Sequence, residues 1–89
     1  MRITEGFIIR DIAGETVAIP SGAAAHKLSG LVALNQSGKL LFELLQTDQT
    51  TESLTKAMLS EYEIDESTAR ADVIEFLDIF RQSGILIED

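Results

Sequence analysis

Gly30-Leu31-Val32-Ala33-Leu34-Asn35, continuing into Gln36-Ser37-Gly38-Lys39-Leu40-Leu41-Phe42-Glu43-Leu44-Leu45, contains the change of hydrophobic period that decides the fold. The first six residues are an apolar run too short for a helix, and Asn35 is a good helix N-cap, so the run reads as a strand that delivers the chain into a helix. Leu40, Leu41, Leu44 and Leu45 recur at the i, i+1, i+4, i+5 spacing of one helical stripe, which places that helix at about residues 36 to 46. Phe42 falls off the stripe and is available to another element.

Upstream, Phe7-Ile8-Ile9-Arg10-Asp11-Ile12 and Glu15-Thr16-Val17-Ala18-Ile19-Pro20 are rich in β-branched and aromatic residues and are separated by Ala13-Gly14, the pattern of a β-hairpin. A two-residue turn needs positive φ, which Gly14 supplies freely and Ala13 does not, so a longer turn is open as well. Pro20 cannot donate to a ladder and should end the second strand. Ser21 to Ser29 then reads as a loop, with a helical turn open to its three alanines.

Downstream, a threonine between Thr47 and Thr51 can cap a second helix that carries Leu54, Ala57, Met58 and Tyr62 on one face and ends near Tyr62. Asp65 is placed to cap a third helix, with Glu66 at the positive end of its dipole and a helical pattern unbroken to Ser83. Ala69, Val73, Phe76, Leu77 and Phe80 fall within about 80° of arc and form its buried stripe. Gly84 suits a left-handed C-cap, with Ile85 folding back and Ile85-Leu86-Ile87 as a short extended tail. The expected fold is α+β: one domain over residues 1–89, a three-stranded antiparallel sheet followed by three helices.

Composition narrows function by exclusion. A chain of 89 residues with 45% hydrophobic and 25% charged residues is an ordinary small globular domain, too small for a two-domain enzyme with a deep cleft. Having no cysteine, it has no disulfide, no thiolate metal site and no catalytic thiol, which fits a reducing cytosol. His26 is the single imidazole, so a two-histidine metal site is impossible. No serine lies in a Gly-x-Ser-x-Gly elbow, and Gly38-Lys39 lacks the earlier glycine of a phosphate loop, because Ala33 stands there. No apolar run approaches the ~18 residues of a membrane span, and the start of the chain is not a signal peptide, so the expected location is cytoplasmic. No metal or cofactor is expected.

The net charge of −8 is concentrated in residues 46–89, where eleven acids face Lys56, Arg70 and Arg81. Two features nevertheless suit a binding module. On the third helix, Arg70, Ile74 and Arg81 flank the buried stripe and offer an apolar surface with a basic border, suited to an extended acidic or amphipathic peptide. The bland alternative is that Arg70 and Arg81 simply balance Glu66 and Asp78 along the helix. The strand at Leu31-Val32-Ala33-Leu34 has no Pro or Lys to blunt an exposed edge, and can accept a further strand from a peptide if it is not interior.

The succession Gly6-Phe7-Ile8-Ile9-Arg10-Asp11, Gly14-Glu15-Thr16-Val17-Ala18-Ile19-Pro20, Gly30-Leu31-Val32-Ala33-Leu34-Asn35, a Leu-rich helix and a closing Gly84-Ile85-Leu86 resembles the PqqD family, named for pyrroloquinoline quinone biosynthesis. The resemblance spans nearly the whole chain, and its most specific piece is the Leu34-Asn35 junction followed by Gly38 and Leu44-Leu45. It implies a winged helix-turn-helix-like fold and a peptide chaperone without catalytic activity. Such a protein recognises the leader of a ribosomally made precursor peptide and presents it to a modifying enzyme, often a radical SAM enzyme. The implied leader site lies beside the third strand, at Leu31, Val32, Ala33 and Leu34, and against the third helix at Arg70, Val73, Ile74, Leu77 and Arg81. The chain departs from many relatives in the longer stretch Ala23 to Ser29 and in Phe42, where the family's first helix often carries tryptophan.

Two other classes fit less well. A winged-helix DNA-binding regulator would present the third helix to phosphates, yet Glu66, Asp72, Glu75 and Asp78 outnumber Arg70 and Arg81 on it. An acyl carrier protein is small and acidic, but its Asp-Ser-Leu attachment motif is absent. The expected partners are therefore a precursor peptide and its modifying enzyme, with no nucleic acid or membrane, the chain acting as a monomer or homodimer.

Overall fold

The structure is a computed structural model that describes residues 1–22 and 32–88. The element order is β1 (Arg2–Ile3), β2 (Phe7–Ile12), β3 (Glu15–Pro20), β4 (Val32–Leu34), α1 (Gln36–Leu44), α2 (Thr51–Glu61), α3 (Glu66–Gln82) and β5 (Leu86–Ile87). The three-stranded sheet and three helices match the expected α+β fold. The expected loop Ala23 to Ser29, His26 within it, and Leu31 lie outside the described residues.

β2 and β3 form the hairpin, and Ile12 pairs directly with Glu15, so the turn is only Ala13 and Gly14. Their φ angles of 52° and 83° make it a turn with both central residues left-handed. The chain thus takes the tight turn even though Ala13 has a Cβ, a strain the twist-matched hairpin compensates.

The caps fall where side-chain chemistry places them. The Asn35 carboxamide accepts from the Gly38 amide at 2.8 Å, and the Asp65 carboxylate accepts from the Thr68 amide at 2.7 Å. Thr50 and Ser53 form a reciprocal capping box at the start of α2. At the end of α3, Gly84 has φ 75°, its amide donates to Arg81, and the Ile85 amide donates to Phe80, a Schellman closure that buries Ile85.

Phe42 is the junction of the core. Fully buried, it meets Phe7 of β2 edge-on at 5.4 Å between centroids and Phe80 of α3 at 5.8 Å, tying sheet, first helix and last helix together. The buried face of α1 is accordingly Gly38, Leu41, Phe42 and Leu45, rotated from the four-leucine stripe, with Leu40 and Leu44 half-buried at its margin. On α3, Ala69, Val73, Leu77 and Phe80 are buried as their spacing predicts, and Phe76 lies half-buried at the border.

A second sheet was not expected. β1 pairs antiparallel with β5, matching Arg2 to Ile87 and Ile3 to Leu86, and the Ile3 amide donates to the Leu45 carbonyl at 2.8 Å. The start of the chain thereby lies between the end of α1 and the extended tail, and buries Ile3. Two-residue strands carry no readable period, which is why the sequence does not announce them.

Two outcomes check this packing. Phe42→Ala should lose roughly 3–5 kcal/mol, a large share of the stability of so small a domain, as a lower urea midpoint; an unchanged midpoint would remove Phe42 from the centre of the core. Ala13→Asn creates the favoured Asn-Gly pair and should raise stability by about 1 kcal/mol in thermal unfolding, whereas a lower melting temperature would contradict the left-handed turn.

Candidate functional site: an open strand edge and its groove

The tight hairpin settles which backbone groups of β4 are spent. A two-residue turn is closed by a hydrogen-bonded pair, so Ile12 with Glu15, Arg10 with Val17 and Ile8 with Ile19 exchange bonds, and the alternate pairs do not. The Ser21 amide donates to the Gly6 carbonyl at 2.7 Å, one step further in the same phase. Pro20, with no N–H, falls at a non-bonded position opposite Phe7. Thr16 and Ala18 therefore turn their backbone groups towards β4, where they face Leu34 and Val32. Val17 faces Ala33 without bonding it, so the N–H and C=O of Ala33 point away from the sheet.

Among the described residues that outward side is open. β4 is the last strand of the order β2-β3-β4, and no described strand pairs with its far side. Val32 is half-buried, Leu34 is buried, and Ala33 is exposed. The same alternation puts Val32 and Leu34 on the core face with Phe7, Ile9 and Ala18, while Ala33 shares the outer face with the exposed Ile8 and Ile12.

Three open concavities of about 440, 410 and 490 Å³ meet where β4 enters α1, and Gln36 lines all of them. One runs between the hairpin turn and Ala33, Leu34 and Asn35. Another lies between Thr16, α1 and the end of α2 at Tyr62. The third is walled by Met58, Tyr62 and Ile64, with Asn35 and Ser37 on one rim and Asp72 on the other. Together they make a groove that starts at the strand edge and ends between α2 and α3.

The helix α3 presents two flanks, and they face different neighbours. Phe76 lies against the start of α1, because a Cβ at Gly38 would stand only 2.7 Å from its ring, and Asp72 reaches the groove. The glycine is what lets the two helices approach. On the opposite flank the Arg70 guanidinium donates to Glu52 of α2 at 2.6 Å and to Glu66 at 3.2 Å. Arg81 pairs with Asp78 and, at 2.7 Å, with Glu88 of the tail. Ile74 stands 48% exposed beside them, while Val73 and Leu77 are core residues beneath.

Of the residues singled out in the sequence, the structure thus brings Val32, Ala33 and Leu34 together at the edge and Arg70, Ile74 and Arg81 on one flank of α3, with Leu31 outside the described residues. No described contact joins Arg70 or Arg81 to β4. Hydrogen bonding from Arg70 holds the Glu52 carboxyl below its ordinary value, and hydrogen bonding from Arg81 does the same to Glu88. Gln36, Met58, Tyr62, Ile64 and Asp72 were not foreseen as a site, since they come from separate elements and share no sequence period.

Among the described residues no group of three His, Cys, Asp or Glu could hold a metal ion, and no helix is long and apolar enough to cross a membrane. The family model for coenzyme PQQ synthesis protein D (PqqD) matches residues 15–86. The chain belongs to the PqqD family. No curated protein sequence matches it. Among solved structures, TbiB1 in complex with the TbiA(beta) leader peptide has the same fold, with a TM-score of 0.73, 22% identity and full coverage of both chains. The match with PqqD runs from the first residue of β3 to the first of β5, so it includes β4 with its outward edge and every named groove residue except Gly14.

The electrostatics of this PqqD-family chain are directly measurable. Glu52 is charged above its ordinary value of 4.5 and gains its partner only when ionised, so the Arg70 tie persists as pH falls to that value and is lost below it. A carboxyl NMR titration should place the Glu52 midpoint below 4.5; a midpoint at or above it would show that Arg70 is not held by α2.

Proposed function

We propose that this protein binds the leader segment of a ribosomally synthesised precursor peptide as an added strand along β4, and presents it to a modifying enzyme such as a radical SAM protein without catalysing the modification. The observation that carries this reading is the outward N–H and C=O of Ala33 on an edge that no described strand pairs, beside a groove for side chains. Strand addition uses these two ingredients: backbone bonds supply affinity and alternate side chains supply selectivity. Membership of the PqqD family and the fold shared with TbiB1, solved with a leader peptide, support the choice of peptide class. The setting we infer is the cytoplasm, with the chain acting as a monomer or homodimer.

In this reading the peptide backbone pairs with Ala33, and its inward side chains enter the groove against Leu34 and α3. Val73 and Leu77 act from below by fixing α3. Arg70, Ile74 and Arg81 lie on the opposite flank of α3, where a longer peptide that wraps over the helix or the partner enzyme would meet them. A duplex-DNA reading has no support from the charges: α3 is acidic and both its arginines are engaged with carboxylates.

The register also selects the variant that tests the idea. Val32→Pro would remove a bond of the protein's own ladder, whereas Ala33→Pro removes only the outward donor, on the kind of edge position where proline is tolerated. Calorimetry with a precursor leader peptide that binds the wild-type protein should show binding weakened about tenfold or more for Ala33→Pro, with the circular dichroism spectrum retained. Unchanged affinity in the folded variant would exclude strand addition at β4.

A further inference from the structure

The innermost segment of the groove combines three kinds of surface. Met58 and Ile64 give it an apolar floor and wall, the Tyr62 ring gives it an aromatic side, and Asp72 places a half-exposed carboxylate at its rim. Asp72 has no ion-pair or hydrogen-bond partner among the described residues. The Asn35 carboxamide oxygen opposite already accepts from Gly38 and Ser37. Among the described residues that line this segment, the one charged group is the Asp72 carboxylate, an acid over an apolar slot.

Resting on the proposed leader-binding role, we propose that this segment is a specificity pocket for a lysine or arginine side chain of the bound peptide. The aliphatic stem of such a residue buries against Met58 and Ile64, its cation meets the Tyr62 ring, and its charged tip reaches Asp72. The surroundings point the same way: among the described residues that line the three concavities, Glu15, Glu43, Glu61 and Asp72 stand against the single cation Lys39. The α3 arginines do not offset this, since each is held by two carboxylates. The N-terminus of α1 opposes a cation with about half a charge, and that end is already capped, so the full charge of Asp72 prevails.

Peptides of sixteen random residues, displayed on phage and selected on the wild-type protein and on Asp72→Lys, test the assignment. Wild-type binders should share Lys or Arg at one position, and Asp72→Lys should replace it with Asp or Glu. In a synthetic binder, replacing that lysine by norleucine should cost about tenfold in affinity on the wild type and little on Asp72→Asn, whose carboxamide keeps the shape. Binders with an apolar or acidic residue there, or an unchanged preference on Asp72→Lys, overturn the pocket while leaving the leader-binding role standing. Failure of the wild-type protein to select any peptide overturns both.

Discussion

A turn of two residues at Ala13–Gly14 sets the phase of every backbone hydrogen bond in the sheet, and the candidate site inherits that phase. With Ile12 bonded to Glu15, bonded pairs alternate along β3, and Thr16 and Ala18 are committed to β4. One residue more in the turn would shift the register and change which backbone groups of β4 face outwards, and with them the faces of its side chains. The core makes the same demand, because Phe7, Ile9, Ala18, Val32 and Leu34 reach α1 and α3 only in this register. Packing and edge chemistry are thus two consequences of one geometric choice, reinforced by the contacts of Phe42 with Phe7 and Phe80.

Charge then divides the surface. The acidic second half of the chain spends part of its carboxylates internally, on Arg70 and Arg81, which lash α3 to α2 and to the tail. Exposed pairs of this kind contribute little to stability. Their consequence is for recognition: the cations of α3 are neutralised, and the described residues that line the groove carry net negative charge. A partner that approaches along β4 meets unpaired backbone first and carboxylates second, an order that favours a flexible peptide over a polyanion.

Much of the fold was legible because each signal had a local cause. Asn35, Asp65 and Gly84 act through their own side chains or lack of one, and the α3 stripe follows from helical spacing. Phe42 was seen as off the leucine stripe, yet its place at the centre depends on Phe7 and Phe80, far away in the chain. The β1–β5 pairing was invisible for the same reason, since Ile3 and Leu86 meet only after the chain has closed. Of the site, the apolar edge at Val32 to Leu34 was readable, and its outward-facing residue was not, because that required the turn length. The groove was hidden altogether: Gln36, Tyr62 and Asp72 have no relation until three helices are packed. Arg70 and Arg81 were legible as charges, but whether they serve a partner or their own neighbours was decided by Glu52 and Glu88, on other elements.

The most direct measurement is amide hydrogen exchange across β4 in the protein without peptide. The account predicts that Ala33 exchanges close to the free-chain rate while Val32 and Leu34, bonded to Ala18 and Thr16, are slowed by about a hundredfold or more. Protection of Ala33 equal to that of its neighbours would mean that the edge is already covered, and would contradict the account at its base.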